Sequence, residues 1–162
     1  MDKENDIKRF FLRHVLATLA YRGGKVIANV PDEFRDYRIN DGTRTPGEIL
    51  AHIGDLMDWS LRLAKGESGG LNSEPLVWSK ECERFYTLLK KFDLFLEGDL
   101  EMMQPAEKLL QGPLADAFTH VGQIAMLRRM AGYPVKGENY FKADIEAGRV
   151  GKEQSKVRFE FE

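Results

Sequence analysis

The chain has 162 residues, 43% hydrophobic and 31% charged, with a formal net charge of −2, which is the composition of one folded domain and not of a disordered chain. Its basic residues are interspersed with acidic ones and form no long run, which speaks against a nucleic-acid or membrane-surface role. The single cysteine, Cys82, rules out an internal disulfide and a cysteine-rich zinc site.

The opening residues Met1-Asp2-Lys3-Glu4-Asn5-Asp6 lack the basic start and apolar stretch of a secretory signal, and no apolar run reaches the roughly 18 residues of a membrane span. A cytoplasmic protein is expected. Ile7, Phe10, Phe11, His14, Val15, Tyr21 and Val26 recur at spacings near three and four and predict a first helix over about residues 6–30, ended by Pro31. Gly23-Gly24 within it costs about 1 kcal/mol per glycine, so a kink or a close packing contact is expected there. His14 reads as a core histidine hydrogen-bonded to a neighbour.

The second helix has a clear start. Thr45 is the N-cap, Pro46 takes the first helical position and Glu48 completes a capping box. The helix is predicted to run to about Lys65 with Gly66 as its stop, carrying Ile49, His52, Leu56, Trp59 and Leu63 on one face. A third helix, from about Pro75 to Glu97, carries Trp78, Cys82, Phe85, Leu89, Phe92 and Leu96 at alternating spacings of four and three, as on a bundle seam. Cys82 on that seam reads as a small buried hydrophobe, and Trp59 and Trp78 read as core.

After a short helical stretch at Ala106 to Leu110, Gly112-Pro113 starts a fourth helix that stops at Gly132-Tyr133-Pro134. Arg128-Arg129 at its end reads as a solvated pair favourable to the helix dipole. A short fifth helix is predicted from Glu138 to Ala147. The end, Val157-Arg158-Phe159-Glu160-Phe161-Glu162, alternates like a strand and is expected to be an extended tail on the bundle or on a partner subunit. The predicted fold is all-α: a four-helix bundle with a short additional C-terminal helix and an extended tail, forming one domain over residues 1–162.

Two polar residues interrupt the apolar stripe of the fourth helix. Asp116 and His120 are four apart and project from one side, among Pro113, Ala117, Ile124 and Leu127. A carboxylate on such a face is costly unless it is paired, hydrogen-bonded or bound to a cation. His52 stands on the apolar face of the second helix between Ile49 and Leu56. Two histidines and one carboxylate suit zinc, iron, nickel or manganese and leave coordination positions open. Asp55 and Gln123, each three residues after a histidine, are candidates to orient the ligands. Spacing alone leaves the alternative that each histidine is a satisfied core residue. No phosphate loop, nucleophile elbow or serine triad signature is present.

The stretches Arg44-Thr45-Pro46-Gly47-Glu48-Ile49-Leu50-Ala51-His52-Ile53 and Thr119-His120-Val121-Gly122-Gln123-Ile124-Ala125-Met126-Leu127-Arg128-Arg129 resemble the DinB-like superfamily of metal-dependent bundle proteins. The similarity covers nearly the whole chain in helix order. It implies a four-helix bundle with a divalent cation, most often nickel or zinc, and commonly a homodimer. It also implies a helix-two histidine and two helix-four histidines four apart. His52 and His120 match two of these, and Asp116 stands in the third position. Relatives in the superfamily include thiol-dependent transferases and an isomerase, and the resemblance implies no DNA binding.

The function expected from these residues is that of a metal-dependent enzyme. His52, Asp116 and His120 would hold one divalent transition metal, nickel or zinc first, then manganese or iron. Its substrate would be a small molecule, with transfer to or from a low-molecular-weight thiol, or hydrolysis, as the reaction. The alternatives are a non-catalytic metal- or ligand-binding bundle or a dimeric interaction module, and a metal-free buried network of the same three side chains.

Overall fold

The structure is a computed structural model that describes residues 3–161. Among the described residues five α-helices follow one another: α1 (Lys3–Ile27), α2 (Pro46–Ala64), α3 (Trp78–Glu97), the single turn α4 (Ala106–Leu109) and α5 (Ala115–Met130). The described residues contain no strand, so the chain is all-α. No described helix is long and apolar enough to cross a membrane. α1 and α2 each pack mainly against α3 and α5. Leu12, Leu16 and Leu19 of α1, Ile53 and Met57 of α2, Phe85, Leu89 and Phe92 of α3, and Ala117 and Ile124 of α5 join in one core.

The local signals act as their chemistry dictates. Thr45 Oγ1 accepts from Glu48 N at 3.2 Å while Glu48 Oε2 accepts from Thr45 N at 2.6 Å, so the capping box fixes where α2 begins. Gly66 terminates α2 in the left-handed region at φ 77°. Gly23 and Gly24 make a close packing contact within an unbroken α1. A Cβ on Gly23 would lie 2.6 Å from Phe85 Cζ, and one on Gly24 would lie 2.5 Å from the Tyr86 hydroxyl. Gly112 leaves helical geometry at φ −92°, ψ −108°, so α5 starts at Ala115, slightly later than predicted, beyond a kink at Leu110–Leu114.

Four sequence readings are corrected. α1 turns Ile7, Phe10, Phe11 and His14 to solvent and buries Leu12, Val15, Leu16 and Leu19, so His14 is not a core residue. The helix is apolar on both sides near its start, and periodicity alone cannot choose between the two. Trp59 is exposed, whereas Trp78 is buried with its indole N–H donating to Ile27 O at 3.2 Å.

Arg128 is buried and not part of a solvated pair. Its guanidinium donates to Val26 O, Ala28 O and Tyr133 O, covering carbonyls at the end of α1. Burial holds its pKa below the usual arginine value. Arg9 does the same for α3, donating to Phe95 O, Leu96 O, Gly98 O and Leu100 O at 2.6 to 3.0 Å.

The predicted fifth helix is the fourth correction. Residues 138–147 form turns, and Glu138 is buried against the Tyr21 hydroxyl and the Lys25 ammonium. An isolated helix this short is marginal, and Phe141, at 99% exposed, has no core to join. The tail folds back on its own chain. Asn139 N donates to Phe159 O and Phe161 N to Gly137 O, both at 2.9 Å, giving one antiparallel bridge between Glu138 and Glu160.

Candidate metal centre

The contact between α2 and α5 brings a histidine of one helix to a carboxylate and a histidine of the other, more than 60 residues away in sequence. His52 comes from α2, while Asp116 and His120 lie one turn apart on α5, and their donor atoms all fall within 4.8 Å of one another. Asp116 faces both imidazoles, with Oδ2 3.6 Å from His52 Nε2 and Oδ1 3.4 Å from His120 Nε2. The two rings meet edge to face, with centroids 4.7 Å apart. His120 is nearly buried and His52 and Asp116 face solvent in part, so the cluster is anchored at one end and open at the other.

The donor set fits a divalent cation. Ligands at about 2.0–2.1 Å in a tetrahedron stand roughly 3.3 Å apart, close to the two carboxylate–imidazole separations, each made by a different oxygen, within a donor set that spans up to 4.8 Å. Imidazole nitrogen and carboxylate oxygen are the donors that zinc, nickel, iron and manganese accept. Three such donors would also leave coordination positions open, as a catalytic site requires.

Gln123, one of the two residues expected beside the histidines, does contact His120. Its Oε1 lies 2.9 Å from His120 Nδ1. A carboxamide oxygen can only accept, so this contact places a proton on Nδ1, with Nε2 turned toward Asp116. Asp55 does not act on His52. It is buried and accepts from Ser73 N, Ser73 Oγ and the Arg84 guanidinium, which together hold its carboxyl below its ordinary range despite burial. It fixes the loop after α2 to α3.

Burial lowers the pKa of His52, and the nearby His120 and Arg44 lower it further against the opposing pull of Asp116. A lowered pKa keeps His52 neutral, the state in which an imidazole can donate to a metal. Arg44, just ahead of the α2 cap, is the neighbour that sequence reasoning left without a role.

Two clefts flank the cluster. One, of about 480 Å³, is walled by Ile39, Ile49, Met126 and Leu127 and reaches His120 and Gln123. The other, of about 190 Å³, is polar and reaches His52 beside Glu48 and Ser73. Arg44 borders both.

Cys82 lies outside this centre. Burial and the adjacent Glu81 push its thiol up to about 11, so almost none is thiolate at neutral pH. Alkylation by iodoacetamide at pH 8 is expected to be roughly a hundredfold slower in the folded protein than in the denatured chain. Equal rates would show that the thiol is neither buried nor held protonated.

The fold and the cluster define an all-α protein with an open group of two histidines and one carboxylate that could hold a metal ion. No protein-family model, no curated protein and no solved structure matches the chain.

Proposed function

We propose that this protein is a divalent-metal-dependent enzyme of the DinB-like type, acting on a small molecule by thiol-dependent transfer or by hydrolysis. The observation that carries the reading is the convergence of His52, Asp116 and His120, from two helices, beside a cleft. His52 and His120 would each donate Nε2 and Asp116 a carboxylate oxygen to one cation, nickel or zinc before manganese or iron. Such a cation polarises a substrate group or lowers the pKa of a nucleophile. Around it, Gln123 would hold the His120 ring through Nδ1, and the apolar side of the cleft would face the body of the substrate. A cytoplasmic setting, with Cys82 reduced, belongs to the same reading.

Elemental analysis of untagged protein purified without chelator tests it. Near one equivalent of a transition metal is expected, lost in His52→Ala and in Asp116→Ala. A second reading has an observation of its own: Asp116 lies within 3.6 Å of both imidazoles and could hold them as a metal-free polar network. Wild-type protein that takes up no nickel, zinc or manganese, and whose melting is unchanged by chelator, would decide for the network.

The same proposal includes a homodimer. Ile7, Phe10 and Phe11 form an exposed apolar stripe on α1, each more than half accessible, and a second copy would bury it. Sedimentation is expected to give a dimer that Phe10→Glu with Phe11→Glu converts to monomer. A wild-type monomer at tens of micromolar would remove this part.

A further inference from the structure

Arginines around the centre are almost all engaged. Arg35 donates to Leu76 O, Pro75 O and Asp36, Arg38 to Thr43 O and Glu48, and Arg84 to Ala51 O and Asp55. Arg44 is different: it makes no hydrogen bond, ion pair or ring contact among the described residues. Two carboxylates that border the polar cleft with it are committed elsewhere, Glu48 to the α2 cap and Arg38, Asp55 to Ser73 and Arg84. The third, Glu74, is exposed and borders only that smaller cleft.

The larger cleft has no carboxylate in its wall. Its charged and titratable groups are Arg44 and His120, with Thr43 and Gln123 as the other polar side chains and four apolar residues making the rest. Its volume of about 480 Å³ is that of a small-molecule site. An unpaired guanidinium at the rim of an apolar cleft complements a ligand with one anionic end and an apolar body. The planar fork of arginine matches a carboxylate in two parallel hydrogen bonds. A single guanidinium balances one negative charge, which favours a monocarboxylate over a phosphate dianion.

We infer that Arg44 is the recognition residue of this cleft and that its ligand is a small organic monocarboxylate, the carboxylate on Arg44 and the apolar body on Ile39, Ile49, Met126 and Leu127. The role of that ligand as substrate rests on the metal-enzyme reading, because the cleft reaches His120; the binding itself does not. Arg44 is exposed and makes no bond within the fold, so its replacement leaves the fold intact.

The test is an NMR titration of the full chain, as purified and after chelation, with hexanoate and with its neutral isostere hexanamide. Metal content is measured on each sample. Hexanoate is expected to move the amide signals of Ile39, Met126 and Leu127 and to bind about tenfold or more tightly than hexanamide. Arg44→Ala is expected to erase that preference with metal content unchanged, and Arg44→Lys to keep part of it. Equal binding of hexanoate and hexanamide, or hexanoate binding undiminished in Arg44→Ala, would overturn the assignment, the latter by pointing to a bound metal as the carboxylate's partner. Wild-type protein that takes up no nickel, zinc or manganese yet still prefers hexanoate through Arg44 would uphold the binding site and sink the metal-enzyme reading instead. Metal at one equivalent without Arg44-dependent preference would do the reverse.

Discussion

Replacement of His120 by alanine is expected to weaken metal binding by at least roughly a hundredfold, measured by competition with a chromophoric chelator. Of the three candidate ligands His120 is the most enclosed, with an 11% exposed side chain, and the only one whose second nitrogen is held by a neighbour. Its loss leaves His52 and a half-exposed Asp116, two ligands that cannot close a site of high affinity. Gln123→Ala should have a smaller effect of the same sign, about tenfold to a hundredfold, by freeing the tautomer and ring orientation of His120. Unchanged affinity in both variants would mean that any bound metal sits elsewhere. The pH dependence has a definite sign. His52 has its folded pKa below the ordinary 6.5, so it stays neutral to lower pH than a free imidazole, and proton competition at this ligand sets in only below that value. By the same linkage, the contribution of His52 to the stability of the metal-free protein is complete above 6.5 and is lost as pH falls through its folded value.

Arg9→Met is expected to cost about 3–5 kcal/mol of stability, with a melting temperature lower by on the order of 10 °C. The last carbonyls of a helix have no partner within it, and those at the end of α3 are met by one guanidinium from α1. Arg9 is only 4% exposed, so methionine would leave buried acceptors without donors and water could not fully replace them. Arg129→Met is the control. The Arg129 side chain is exposed and bonds to nothing among the described residues, so a change within about 0.5 kcal/mol is expected. Similar denaturant midpoints for the two variants would show that the helix-end bonds of Arg9 contribute little.

The contrast between Arg9, Arg128 and Arg44 shows how far a sequence can be read. Arg9 lies in the second turn of α1, Arg128 in the last turn of α5 and Arg44 just ahead of α2. Arg9 and Arg128 are buried as caps on other helices, and Arg44 is unpaired beside a cleft. Nothing in their local sequence separates these fates, because each depends on which helix end or cavity the fold carries to the guanidinium. The fifth helix shows the same limit from the other side. Glu138 had a plausible local start, but the Tyr21 hydroxyl and the Lys25 ammonium are better partners for its carboxylate than a solvent-exposed helix would provide.

What the sequence determined by itself was local and periodic. The Thr45-to-Glu48 capping box set the start of α2, Gly66 and Gly132 set two helix stops, and the four-three spacing from Trp78 to Leu96 fixed the buried face of α3. The four-residue step from Asp116 to His120 was legible for the same reason, since helix geometry alone puts both on one side. Only the tertiary structure decided that His52 meets them, that Gln123 and not Asp55 contacts a histidine of the cluster, that the Phe10 side of α1 faces out, and that the Arg44 side chain has no partner among the described residues. Those outcomes depend on contacts between residues tens of positions apart, and such contacts are set by the packing of whole helices and not by the pattern within any one of them.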